Sequence, residues 1–194
     1  MEKRLPILLL FCLLIGRNDA SEVTRNHCQQ FMARLRHSTL VYRSGACNTN
    51  ICRTIKLLET WEPNFDLNQV KVLILYPKPN GEIFPLHNPK NAWIFHVVIN
   101  YDGYIIDLDY PGEPRPVSDY FENVFLDTPE KPGFFRNMMD RAVSNPTPQD
   151  NHEMTVTEVS WKDYRDHFQV EGLKKPHPNF PPRPIREFLK HYQP

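Results

Sequence analysis

Apolar side chains recur at helical spacing in two early segments. Over 26–37 (NHCQQFMARLRH) they fall at Cys28, Phe31, Met32 and Leu35, one face of a 3.6-residue period. Over 47–60 (CNTNICRTIKLLET), Ile51, Ile55 and Leu58 recur at i, i+4 and i+7, with Cys47 and Asn48 where the helix begins. The period then changes. Residues 70–76 (VKVLILY) form an apolar run rich in strand formers, which predicts a buried strand. Pro77, Pro79, Asn80 and Gly81 end it in a turn. Residues 92–101 and 104–109 read as strands joined by Asp102-Gly103, a strong signal for a two-residue hairpin. Short helices are expected over 118–126 and 133–143, and a strand over 154–161. Ser160 with Asp163 three residues on predicts a capped helix running to Phe168. The tail opens on prolines and closes on a short helix. No repeat is visible. The pattern predicts one α+β domain over 21–194, with N-terminal helices packed on an antiparallel sheet.

The first twenty residues stand apart. Lys3 and Arg4 precede the apolar run LPILLLFCLLI, the make-up of a secretory signal peptide. The run is too short to span a bilayer, which takes roughly 20 apolar residues. Cleavage is expected after Ala20 or Gly16, giving a secreted or periplasmic protein with no membrane anchor. Removing 1–20 takes Cys12 and leaves Cys28, Cys47 and Cys52, an odd number for an oxidising compartment.

Composition narrows the function. Basic and acidic residues number 23 each. A neutral chain lacks the electrostatic footprint of a nucleic-acid binder. Aromatics at 12 % argue for a packed core rather than disorder. The prolines of the tail suit either an extended partner-binding segment or a strap. Phe180, Ile185, Phe188 and Leu189 favour a strap that wraps back over the domain.

Cys47 is placed for chemistry. A helix start carries partial positive charge and unpaired N–H groups. Both favour the thiolate, the nucleophilic form, and the same amides suit an oxyanion on an attacked carbonyl. The plainer role is a small buried cysteine or half of a disulfide. Residues five apart on a helix are too distant for a disulfide, so any pairing is expected to join Cys28 to Cys52 and leave Cys47 free. His96 lies in the apolar stretch WIFHVVI, where a buried imidazole needs partners for both nitrogens. Backbone bonding in the core is its plainer role. His27, His37, His87, His152, His167, His177 and His191 read as surface residues. No histidine or cysteine spacing supports a metal site. If Asp102 and Gly103 form the loop, His96 faces Asp109 and Val98 faces Asp107. Both carboxylates then share the face of His96, able to orient an imidazole and stabilise its charged form.

A nucleophile on a helix, then a base and an acid on neighbouring strands, is the order used by papain-like and transglutaminase-like enzymes. More specifically, the chain resembles the protein N-terminal glutamine amidohydrolase family. The residues that carry this are Cys47-x-x-Asn50-Ile51, Trp93-x-Phe95-His96-Val97-Val98 and Asp107-Leu108-Asp109, followed by Pro114, Pro116 and Asp119-Tyr120. The similarity runs over roughly 45–125. It departs at Ile94, where the family has an acidic residue, and at Gly45, where it has a cysteine. The resemblance implies a papain-like core with Cys47 as nucleophile, His96 as base and Asp107 as the orienting acid. Asp109 is the alternative third member.

The expectation is therefore a secreted, monomeric cysteine amidohydrolase that deamidates glutamine in a protein or peptide substrate. It needs no metal or cofactor and engages neither nucleic acid nor membrane. A cysteine peptidase or acyl transferase would share the thioester. A non-catalytic secreted binding module is the alternative from another class, and a structural disulfide at Cys47 would distinguish it.

Overall fold

The computed structural model describes residues 22–35, 46–61, 66–79, 81–88, 92–110, 112–126, 153–168 and 173–192. The expected signal segment and the helix expected over 133–143 lie outside them.

The VKVLILY run forms β1 (Val70–Tyr76) and is the reason the sheet has two cores. It pairs antiparallel with β3 (His96–Tyr101) on one side and β7 (Thr155–Ser160) on the other. Every residue except Lys71 is buried, because helices cover both faces. Val72, Ile74 and Tyr76 pack with Phe31 and Met32 of α1 (22–35), Ile51, Ile55 and Leu58 of α2 (Cys47–Trp61), and Tyr164 of α4 (Trp161–His167). Leu73 and Leu75 pack on the opposite face with Tyr120 and Phe121 of α3 (Val117–Asn123) and Phe188 of α5 (Ile185–Leu189). An apolar run without alternation is what a strand covered on both faces requires. The N-terminal helices do pack on an antiparallel sheet; the second helical layer, from α3 and α5, was not expected.

The full order is β5-β4-β3-β1-β7-β8. Here β4 is Tyr104–Ile106, β5 is Arg115–Pro116 and β8 is Arg183–Pro184. A small separate sheet joins β2 (Phe84–Pro85) to β6 (Phe125–Leu126). The β3–β4 hairpin turns at Asp102 (φ 47°) and Gly103 (φ 84°). Two positive φ values are the signature of the primed turn that matches strand twist. The Thr24 hydroxyl of α1 donates to Asp102 Oδ2 at 2.8 Å, and the Asn100 side-chain carbonyl accepts the Gly103 N–H at 3.1 Å.

Several bounds differ from the sequence pattern. The strand expected over 92–101 starts only at His96, because Trp93 instead bridges to Ile83. The strand expected over 104–109 ends at Ile106, where Asp107 leaves the ladder to use its carboxylate. The helix expected over 118–126 is Val117–Asn123, and Phe125–Leu126 is a strand paired with β2. Ser160 does cap α4. Its oxygen accepts the Asp163 N–H at 3.1 Å and its hydroxyl donates to the Asp163 carboxylate at 2.6 Å. Trp161 therefore opens that helix rather than closing the strand before it.

The tail wraps. β8 pairs with β7, Ile185 and Phe188 are buried, and the Tyr192 hydroxyl donates to Glu158 at 2.8 Å while accepting from Asn100 at 2.7 Å. Among the described residues, no helix is long and apolar enough to cross a membrane.

Candidate functional site

Cys47 is the first residue of α2. The Asn50 N–H bonds back to the Ala46 carbonyl at 2.9 Å, which makes that the first helical hydrogen bond. The Cys47 amide thus sits in the first turn, where N–H groups have no intrahelical partner. No acidic side chain occupies that turn to offset its positive end. Cys47 is 8 % exposed and counts among the core residues packed with α1 and β1.

His96 opens β3 and is 1 % exposed. By strand alternation it shares a face with Val98, in the layer of Trp93, Ile105 and Tyr120. Cys47 belongs to the opposite layer. The Cys47 side chain nonetheless lies close enough to the imidazole to act on its charge. His96 Nε2 is taken by Asp107 Oδ2 at 3.0 Å, so Nδ1 is the nitrogen left for sulfur.

The hairpin register follows from the two-residue turn: Tyr101 faces Tyr104, Asn100 faces Ile105 and Ile99 faces Ile106. Asp107 lies just beyond the ladder, on the face of His96. Oδ2 accepts from His96 and also from the Tyr120 hydroxyl at 2.6 Å, and Oδ1 accepts the Asp109 N–H at 2.9 Å. Three donors hold one buried carboxylate. The contact with His96 is made by Asp107; Asp109, placed opposite His96 by register alone, supplies its backbone to Asp107.

The electrostatics follow from these contacts. Burial alone would depress the His96 imidazole. The charge and hydrogen bond of Asp107, with Cys47 adding to them, outweigh it and raise His96 to about 9. Burial alone would raise Asp107; His96, the Tyr120 hydroxyl and the Asp109 amide overcome it and hold the carboxyl below its ordinary value. Asp109 is pushed up to about 6 by burial.

Two aromatic residues complete the surroundings. The Trp93 indole stacks on His96 with centroids 4.1 Å apart and planes 16° from parallel. His87 lies next along, 6.5 Å from Trp93 and 5.6 Å edge-on from Tyr110. Next to Cys47, the Tyr164 hydroxyl donates to Asn48 Oδ1 at 2.7 Å. The sequence pattern gave Trp93 and Tyr120 no role of their own, since neither stands at a diagnostic spacing from His96. Their one signal was their place in the stretches that carry the family resemblance.

His96, Asp107 and Asp109 bring one donor atom each within 4.8 Å of one another, a grouping that spacing along the chain did not suggest. Nε2 and Oδ2 are spent on each other, and Oδ2 also on Tyr120, so no metal centre is assigned to it. Cys28, Cys47 and Cys52 are all free. The pairing expected between Cys28 and Cys52 is absent: Cys28 is buried, with Asp102 close enough to act on its thiol, whereas Cys52 is exposed on α2. Of the histidines read as surface residues, His27, His87, His167 and His191 are exposed; His177 is half-buried against Phe168 and Phe180. His37 and His152 lie outside the described residues.

The chain matches no protein-family model and no curated protein.

Proposed function

We propose that the protein is a cysteine amidohydrolase with a papain-like core, converting a glutamine side chain of a protein or peptide to glutamate and ammonia. The observation that carries the reading is the buried His96, hydrogen-bonded to Asp107 and close enough to the helix-starting Cys47 for that side chain to act on its charge. The choice of glutamine rests on the motif resemblance.

In this reading the Cys47 proton has already passed to His96, and Cys47 Sγ attacks the side-chain amide carbon. The carbonyl oxygen becomes an oxyanion beside the free amides of the α2 N-terminus. A His96 raised to about 9 carries a proton at neutral pH. It gives that proton to the amide nitrogen as the C–N bond breaks and ammonia leaves. Water then attacks the thioester and passes a proton to His96; glutamate departs and the thiol is restored. Asp107 keeps the imidazole oriented and balances its charge throughout. The basic-then-apolar segment 1–20 supports export, so the substrate would be met outside the cytoplasm.

The test is to incubate the protein with glutamine-containing peptides and follow ammonia and product mass. Wild type should release ammonia and add about 1 Da to the peptide, and Cys47→Ala should do neither. Peptide fragments would mark a peptidase. Ammonia release by Cys47→Ala equal to wild type would overturn the reading.

A further inference from the structure

We propose that Tyr120 is a positioning residue for His96, acting through Asp107: its hydroxyl shares the carboxylate oxygen that holds the imidazole. Asp107 Oδ2 receives Tyr120 Oη at 2.6 Å and His96 Nε2 at 3.0 Å. Two donors on one oxygen divide its charge between them. The phenol thus limits how strongly Asp107 stabilises the charged imidazole, whose second proton, on Nδ1, is the one that must be given up in each cycle.

Tyr120 is built for this. It is 1 % exposed. Its ring is gripped edge-on by Phe121 and Phe125, each with centroid 5.4 Å away. The helix that carries it is tied to the hairpin turn, since the Val117 N–H donates to the Gly103 carbonyl at 2.9 Å. The hairpin that presents His96 and Asp107 therefore also fixes the phenol. Burial and the neighbouring Asp107 hold the Tyr120 hydroxyl well above its ordinary range, so it stays a donor across the working range.

The other titratable groups acting on this cluster are Cys47 from α2 and Asp109 and Tyr110 from the segment after β4. Tyr110 is held by Arg115, which pairs with Asp119. From β1 the residue opposite His96 is Leu75, which does not titrate. None of these loses its partner when the Tyr120 hydroxyl is removed.

The experiment reads His96 directly. The full chain is labelled with 15N-histidine and titrated by NMR as wild type and as Tyr120→Phe, with His96→Gln to assign the resonance. With Asp109 and His96 still holding Asp107, the undivided carboxylate should stabilise the charged imidazole more strongly. The His96 midpoint should rise by about 0.5 pH unit. A second variant carries 3-fluorotyrosine at 120, a stronger donor of nearly the same shape; it should move the midpoint down. A midpoint unmoved or shifted oppositely in either variant would overturn the proposal, because packing alone moves neither. The kinetic arm rests on the amidohydrolase reading: kcat should fall about 5-fold in Tyr120→Phe with KM within about 2-fold. The NMR arm needs no substrate, so a protein without deamidase activity still decides the role of Tyr120.

Discussion

The Trp93 indole lies flat on the His96 imidazole, 4.1 Å from centroid to centroid. The two residues are three apart, yet the chain reverses character between them. Trp93 is bridged to Ile83, whereas His96 opens the central hairpin. The indole covers one face of the imidazole and attracts its charged form. Trp93→Phe keeps a stacked ring and should retain kcat/KM within about 5-fold. Trp93→Ala should lose more than that and destabilise the fold by about 3–5 kcal/mol. Steady-state kinetics beside chemical denaturation separate the two effects.

The two aspartates should differ sharply. Asp107 touches His96 and Asp109 supports Asp107 through its backbone. Asp107→Asn should lower kcat at least about 100-fold. Asp109→Asn keeps the amide and should stay within about 10-fold. A reversed ranking in the ammonia assay would make Asp109 the orienting acid.

How far the sequence reached is visible in this pair of residues. The Asp102-Gly103 turn set the hairpin register, and the register put both carboxylates on the face of His96. It could not say which would turn inward, because that depends on where the ladder stops and on the Tyr120 hydroxyl arriving from α3. β1 could be read to its ends because a strand covered on both faces is apolar throughout. The start of β3 could not: Ala92 to Phe95 are as apolar as the strand, but a bridge to Ile83 holds Trp93 outside it. Cys47 was legible from its place at a helix start. The second helical layer was not, since α3 and α5 are too short for their periodicity to announce which face they cover.

Linkage gives the pH dependence a sign. The folded His96 value of about 9 lies above its ordinary 6.5. Its pairing with Asp107 therefore contributes stability fully below about pH 6.5, and that contribution is lost as pH rises through about 9. The urea midpoint of wild type should fall across that window, and the fall should shrink in His96→Gln. Asp107 is shifted the other way: its contribution is present above its ordinary value of 3.8 and is lost as pH falls through its lower folded value. The alkaline limb of kcat should follow His96 and lie near pH 9.

The His96, Asp107 and Asp109 donor atoms are close enough to attract an added cation, but the proposed chemistry needs none. Dialysis against a chelator should leave kcat unchanged. Added zinc should inhibit by competing for His96 and Asp107, with inhibition reversed on chelation. A chelated protein that regains activity only with metal would replace the thiol mechanism by a metal-centred one.

The most direct test of Cys47 as nucleophile is an intact-protein mass spectrum taken by acid quench during turnover of a glutamine peptide. Wild type should show an adduct equal to the peptide less ammonia, mapping to Cys47 and absent from Cys47→Ala. Product formed at the wild-type rate by Cys47→Ala, with no adduct on either protein, would contradict it.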